Sequence, residues 1–277
     1  MDNNIKDKTE YCLNCINKPC SKFGCPLHNN IPEFIKCVKE NKYKEAYKIL
    51  SETTIMPGVC GKICPHDKQC EGKCIRGLKA NPVEIGNIES YIFEKAIENN
   101  YNLKQFKRED KTLKNKKVAI IGSGPAGLTC AAFLAMQNIE VTIFEKYDYL
   151  GGLLIHGIPD FRLDRKIIKE TIDRILDLGI EVKYNQKLGD NLKLEDLEKK
   201  YDAIFIAIGS NVSKMMNVEG KDLEGVWGGN ELLEKKNFPD VKEKIVSVIG
   251  GGNVAIDVAM TIKKLRSKKC KCNLQTK

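Results

Sequence analysis

The chain has 277 residues, 42% of them apolar, and its 46 basic against 37 acidic side chains give a net charge of +9. No apolar run approaches the ~18 residues of a membrane span, the polar start has no signal-peptide layout, and no basic stripe interleaves with aromatics as nucleic-acid binding requires. The expectation is a cytoplasmic protein of two or more domains with a solvated lysine-rich surface, and with neither membrane nor nucleic acid as partner.

Nine of the twelve cysteines precede position 75. That density means disulfides in a secreted chain and metal in a cytoplasmic one. Cys12, Cys15, Cys20 and Cys25 read C-x2-C-x4-C-x4-C-P, and Cys60, Cys64, Cys70 and Cys74 read C-G-K-I-C-P-x4-C-x3-C. Thiolates at these spacings, with prolines after Cys25 and Cys64, suit iron–sulfur clusters better than zinc. Only Cys12 and Cys15 form a CxxC knuckle, and the intervening segments look helical rather than ribbon-like. Residues 31–50, I-P-E-F-I-K-C-V-K-E-N-K-Y-K-E-A-Y-K-I-L, carry apolar side chains at helical spacing. Cys37 within them reads as a small buried apolar side chain. His28, His66 and His156 read as structural residues or as support for ligands. Residues 99–116 are polar and charged and read as a linker.

In combination, C-x2-C-x4-C…C-P, N-x-I-P and C-P-x4-C-E-G-x-C resemble the small-subunit family of glutamate synthase. They equally resemble the N-terminal half of dihydropyrimidine dehydrogenase and the large subunit of NADH-dependent ferredoxin–NADP oxidoreductase. The resemblance runs from about Tyr11 to Leu265. It implies two 4Fe-4S clusters that interleave the cysteine groups: Cys12, Cys15, Cys20 and Cys74 around one, and Cys25, Cys64, Cys70 and Glu89 around the other. Glu89 lies in P-V-E-I-G-N-I-E, where the family places a non-cysteine ligand. Its oxygen is a harder donor than thiolate and would tune the potential; the residues alone would make it a solvated helix carboxylate. Cys60 receives no ligand role. Cys20 and Cys25 are four residues apart where the family has three, so the loop around Phe23 and Gly24 must bulge.

Lys117–Leu128, K-V-A-I-I-G-S-G-P-A-G-L, predicts strand, tight turn and helix. Gly122, Gly124 and Gly127 complete G-x-G-x-x-G, and with Ser123, Pro125 and Ala126 they offer backbone N–H groups at a helix N-terminus to a diphosphate. A second strand ends in Glu145, near the ~20-residue spacing of a ribose-binding carboxylate; the remaining alternative is a glycine turn in an ordinary α/β unit. Gly151 and Gly152 permit close backbone approach to a bulky ligand. The resemblance implies that Gly152, Leu153 and Arg162 contact FAD, with Arg162 serving the diphosphate or a neighbouring carboxylate. Spacing alone equally allows a surface helix-cap arginine. Leu188 falls where the family has a backbone contact to the adenine. Between them an amphipathic helix ends at Gly179 and a strand follows. Residues 201–210, Y-D-A-I-F-I-A-I-G-S, read as a buried strand ending in A-I-G, with Ile208 where related flavoproteins have threonine.

Residues 245–259, I-V-S-V-I-G-G-G-N-V-A-I-D-V-A, give a second strand–turn–helix. Gly250, Gly252 and Ala255 form G-x-G-x-x-A, and the resemblance implies NADPH bound at Gly250, Gly252, Asn253 and Val254. After the helix, S-K-K-C-K-C-N-L-Q-T-K shows no β periodicity, so strand 245–249 is expected to present a bare, aggregation-prone edge. Back-translated with A/T-rich codons and read one base later, the last nine residues give S-V-N-V-I-Y-R-R, a strand with arginines suited to a 2′-phosphate. The expectation is a frameshifted tail, a shortened chain and no site to choose NADPH over NADH.

The fold expected is α/β: a helical two-cluster domain (1–112), the first segment of a Rossmann-like FAD domain (113–220) and an incomplete NAD(P)H domain (221–277). No acid, base or nucleophile stands out, as befits a chain whose cofactors do the redox work. The resemblance implies electron flow from NAD(P)H through FAD and two clusters to a larger catalytic subunit or a ferredoxin-type acceptor. The alternatives are a non-catalytic iron–sulfur and FAD-binding fragment, or a zinc-stabilised module.

Overall fold

Apolar spacing produces the N-terminal helices, with one break. In the computed structural model, which describes residues 3–107, 111–113, 115–235, 238–265 and 267–273, residues 31–50 form two helices rather than one, α2 (Ile31–Lys39) and α3 (Tyr43–Ser51). Asn41 between them takes φ +56°, a left-handed conformation that asparagine tolerates and a helix interior does not. Around them stand α1 (Asn3–Glu10), α4 (Pro57–Ile63) and α5 (Ile85–Glu98). The last two pack closely because two glycines face α5: a Cβ on Gly58 would stand 2.2 Å from the Phe93 ring, and one on Gly61 2.4 Å from Ser90 Oγ. Cys37 is half-buried rather than buried.

The bulge expected between Cys20 and Cys25 is a five-residue π-helical turn, Cys20–Gly24. Cys25 N–H donates to the Cys20 carbonyl at 2.8 Å. A π turn holds one residue more than an α turn, so the extra residue is absorbed without moving either cysteine off the turn.

Residues 99–116 are more than a linker. Leu103 is buried, Phe106 meets Tyr47 edge-on at 5.8 Å, and Arg174 of α8 (Arg165–Leu176) donates to the Tyr101 and Ala96 carbonyls. Leu103 and Phe106, with Tyr101 packed on the same core, suffice to pin the segment among many polar side chains. Residues 108–110 and 114 of it lie outside the described residues.

Beyond this segment, β1 (Lys117–Ile121), α6 (Pro125–Met136), β2 (Glu140–Phe144), β3 (Glu181–Lys183) and β4 (Ala203–Ile206) build a parallel sheet of order β3-β2-β1-β4. Strand alternation feeds two cores. Val118 and Ile120 face the large apolar cluster, which runs unbroken from Ile5 to Ile180, while Ala119 and Ile121 join Phe144, Leu192 and, from α9 (Leu194–Glu198), Leu197 on the opposite face. The cysteine-bearing helices and the sheet therefore share one core. β4, expected to be buried, is the exposed edge: Ile206 is 53% accessible.

The last part corrects the expectation of a bare strand. β5 (Ile245–Ile249) pairs in parallel with β6 (Lys269–Asn273) after α11 (Asn253–Lys264), in register Ile245↔Lys269 to Ile249↔Asn273. Lys269–Cys272 does alternate with period two, and Cys270 packs on the cluster of Leu232, Leu233, Val241, Val248, Val258 and Ile262, to which α10 (Gly229–Lys235) contributes. Residues 274–277 of the expected frameshifted tail lie outside the described residues. Among those described, no helix is long and apolar enough to cross a membrane.

Candidate functional site

The four cysteines expected around one cluster share a pocket. Cys12, Cys15, Cys20 and Cys74, four thiols from three segments, line it, and its remaining wall is apolar apart from Arg76. Val83 N–H points at Cys74 Sγ (3.5 Å), and Arg76 Nε donates to the Tyr11 carbonyl (2.9 Å). Burial raises the Cys12 thiol above its ordinary range and lifts Cys20 to about 11. Free thiols there resist ionisation, whereas iron would bind them as thiolates and remove that cost.

The second set converges on α4 and α5. Gly24, next to Cys25, lies so close to Cys70 that a Cβ would stand 2.8 Å from its Cα. Glu89 is only 5% exposed, and its Oε1 is buried with no hydrogen-bond partner. Burial, then the neighbouring Cys64, pushes its carboxyl well above the usual range. An orphaned buried oxygen facing a cysteine pair is costly unless something binds it. Cys60, one helical turn before Cys64, hydrogen-bonds that thiol and holds it below the ordinary range, while its own thiol is pushed up. Sequence reasoning left Cys60 without a part; its i, i+4 spacing to Cys64 is the signal. Among the described residues no three Cys, His, Asp or Glu side chains are gathered closely enough to hold a metal ion as they stand. Four thiols spread around a cavity suit a polynuclear cluster, and the donor set fits.

The first glycine turn lies at the carboxyl end of β1, beside the reversal of strand order between β1 and β4, where ligands bind such sheets. Gly122 has φ +101°, and a Cβ there would meet the Ala207 carbonyl at 2.4 Å; on Gly127 it would meet the Gly122 carbonyl at 2.0 Å. Both glycines are enforced by packing. Gly124 is different, because nothing lies within 4 Å of its would-be Cβ. Pro125 and Ala126 are exposed at the α6 N-terminus. Gly152, φ +49°, lays its backbone against this turn, its would-be Cβ 2.8 Å from Gly124 Cα. The result is an open backbone cradle whose floor is two glycines.

Glu145 is buried and holds the cradle rigid. Its Oε2 accepts from Ser123 N–H (2.8 Å) and Oγ (2.5 Å), and its Oε1 from Tyr147 N–H (3.0 Å). Oε2 is thereby filled, and Oε1 retains acceptor capacity for a ribose hydroxyl. Gly151 N–H donates to the Ser123 carbonyl (3.1 Å). Leu153 is half exposed at the start of the short helix α7 (Leu153–His156). Leu188 forms a single parallel bridge with Leu192 and packs on the cluster of Ala119, Ile121 and Phe144.

Arg162 takes the second of its two expected roles. Its Nη1 meets Asp257 Oδ2 at 2.5 Å, on α11, and Lys264 of the same helix sits over the Phe161 ring at 3.9 Å. Segment 151–162 thus backs onto the first turn and grips the helix of the second. Asp257 was not expected; a lone acid in the run V-A-I-D-V-A-M was its signal. At the second turn, Gly250 has φ +123° with Ala255 packed beside it, Gly252 faces open space, and Asn253 and Val254 are exposed.

The comparisons follow the same division. Residues 1–101 match the family model for dihydropyrimidine dehydrogenase domain II, 4Fe-4S cluster, and residues 116–271 match pyridine nucleotide-disulphide oxidoreductase. The glutamate synthase (NADPH) small chain of Escherichia coli K12 is 34% identical across 96% of this chain and 58% of its own length. The NADPH-Fe(3+) oxidoreductase subunit beta of Geobacter sulfurreducens is 38% identical across 86% of this chain and 36% of its own. The chain therefore spans from a third to rather over half the length of these relatives. Among solved structures, a 2-naphthoyl-CoA reductase complexed with 2-naphthoyl-CoA aligns over 86% of this chain and 35% of its own, at 23% identity and TM-score 0.50. That likeness concerns the fold alone.

Proposed function

The chain belongs to the pyridine nucleotide-disulphide oxidoreductase family, and from that premise we propose that it is an electron-input unit, carrying electrons from NAD(P)H through FAD and two 4Fe-4S clusters to a larger partner subunit. The observation that carries this reading is the cavity walled by Cys12, Cys15, Cys20 and Cys74 on the same continuous core as an open glycine cradle. When bound, FAD supplies hydride acceptance and the clusters supply one-electron transfer.

The side chains bind, orient and space these groups. The N–H groups of residues 123–127 would hold the flavin diphosphate, with Glu145 on the ribose and Gly152 and Leu153 beneath the rest. The exposed α11 N-terminus at Gly250–Val254 would hold the nicotinamide dinucleotide. Cys25, Cys64, Cys70 and Glu89 would hold the second cluster. The functional division at 1–112, 113–220 and 221–277 is part of the proposal. So is a cytoplasmic location, supported by twelve unbridged cysteines. Small chain and subunit beta, the names of the relatives, support a larger partner.

A second reading, a cofactor-binding unit without turnover, is favoured by one observation: Phe205 and Ile206, beside the strand reversal, are exposed. Anaerobic purification followed by iron, sulfide, zinc and flavin analysis separates the readings. About eight iron atoms per chain, with flavin that NADPH bleaches, supports the electron-input unit. Iron without bleaching supports the second reading, and zinc alone refutes both.

A further inference from the structure

Charge is not spread evenly over this chain. The two cysteine segments, residues 12–25 and 60–80, contain seven cations (Lys18, Lys22, Lys62, Lys68, Lys73, Arg76 and Lys79) against two acids (Asp67 and Glu71), which is five of the nine net positive charges. Lys18 is spoken for by Asn30 and Glu33, and Arg76 stacks on Tyr11. Lys22, Lys62, Lys68, Lys73 and Lys79 are exposed and form no ion pair among the described residues. Lysines elsewhere are mixed: Lys8 pairs with Glu84 and Lys116 with Asp202, whereas exposed Lys36, Lys39, Lys44 and Lys48 form no ion pair among the described residues. Of the two acids, Glu71 turns inward to accept from Gly86 N–H (3.0 Å).

The same segments carry unpartnered apolar side chains. Ile16 is 94% exposed, Leu78 77% and Phe23 74%. Phe23 stands on the π turn between Cys20 and Cys25, one from each proposed ligand set. Exposed Leu13 and Ile75 border the four-cysteine cavity itself. The segments lie against each other, Gly24 on Cys70, with the π turn against Glu71–Lys73 and that turn against His66–Lys68 and Ile75–Leu78, so one cluster of adjoining turns carries most of these exposed cations and apolar groups. Single exposed apolar residues need no explanation, but a cluster ringed by unpaired charge of one sign does.

We propose that this face docks an acidic electron-accepting protein, whose carboxylates meet the Lys22, Lys62, Lys68, Lys73 and Lys79 ring while Phe23, Ile16 and Leu78 form the dry centre. It rests on the electron-transfer reading above and names the partner's surface chemistry. An apolar centre with a charged rim is the ordinary anatomy of a transient interface. The one-signed rim raises the encounter rate and fixes orientation. Both proposed clusters lie directly behind the contact, which is where an electron must leave.

The probe is a plant-type 2Fe-2S ferredoxin, an acidic carrier, titrated calorimetrically into the anaerobically purified chain; cytochrome c, a basic carrier, is the control. Affinity for the ferredoxin should fall about tenfold or more between about 50 and about 300 mM salt. Lys22→Glu/Lys73→Glu should lower it at least as far with iron content retained. Phe23→Ala should weaken binding without altering the salt dependence. Lys62→Glu/Lys79→Glu, away from the π turn, gives the same reading should the first pair lose iron. Binding insensitive to both charge reversals overturns the proposal, as does equal affinity for cytochrome c. So does Lys22-dependent binding of a single-stranded oligonucleotide in place of the ferredoxin. Flavin bleaching by NADPH is scored separately: its absence refutes the electron-input function and leaves the docking result to stand or fall alone.

Discussion

Asp257 offers a sharp test of how the two glycine turns are joined. Its side chain is 4% exposed, Oδ2 is held by Arg162 at 2.5 Å, and Oδ1 is buried without a partner. Arg162→Gln would leave that carboxylate buried with no cation. Breaking a fully buried pair costs about 3–5 kcal/mol, but the Arg162 side chain is 29% exposed, so water can follow and about 1–3 kcal/mol is the expectation. Asp257→Asn keeps the shape and strands only a partly solvated guanidinium, at about 0.5–1.5 kcal/mol. The order of the two costs is the diagnostic. Burial lifts Asp257 above its ordinary 3.8 more than Arg162 pulls it down, so the folded chain binds that proton more tightly than the unfolded one. This carboxyl's contribution to stability is full below 3.8 and is lost as pH rises through the folded value, a loss that Arg162→Gln should extend to higher pH. The assay is denaturant unfolding of both single variants and the double, at acid and neutral pH, with amide exchange of residues 253–264 as the local probe. Equal costs for the two single variants, or a coupling below about 0.5 kcal/mol, would refute the ion pair as the join between segment 151–162 and α11.

Three further outcomes are expected. Gly124→Ala should cost less than about 0.5 kcal/mol, since its Cβ meets nothing, yet abolish flavin retention, whereas Gly127→Ala, driven into the Gly122 carbonyl, should destabilise the fold by about 1–3 kcal/mol; urea melts and flavin absorbance distinguish them. Cys74→Ala should lower iron from about eight to about four per chain and leave one cluster signal in electron paramagnetic resonance; loss of both, or of neither, contradicts the interleaved sets. His156 is buried against Tyr147 and Tyr149, and burial, then Lys146, holds its pKa below the ordinary 6.5. Its contribution is therefore present above 6.5 and lost as pH falls through the folded value, so His156→Gln should flatten the acid side of a Tm-versus-pH curve.

The parts of this fold legible in the sequence are those where backbone geometry permits few residue types. Gly122 and Gly127 are glycine because a carbonyl stands where Cβ would be, and the spare residue before Cys25 had only a wider helical turn to go to. Apolar period was equally reliable for α8, while α6 and α11 were reached from the glycine turns that precede them. Asn41 escaped notice because apolar period continues through the break, and only the left-handed backbone at that residue reveals it. Leu103 and Phe106 were hidden by polar neighbours, since a segment needs few anchors to pack.

β6 shows the deeper reason why such readings fail. Lys269, Cys270, Lys271 and Cys272 alternate strictly, but the cysteines were weighed for chemistry and the lysines as a solvated tail, so the period went uncounted. A half-buried Cys270 behaves as a small hydrophobe. It meets Val246 and the Val248–Val258 cluster from the only side that a strand returning after α11 can approach. The pairing is thus dictated by the βαβ connection more than by strand propensity, and lysines flanking it keep a parallel edge soluble. Asp257 follows the same logic in reverse. Its run reads as helix whatever the acid does, and its role appears only when the chain brings Arg162, 95 residues earlier, against that face.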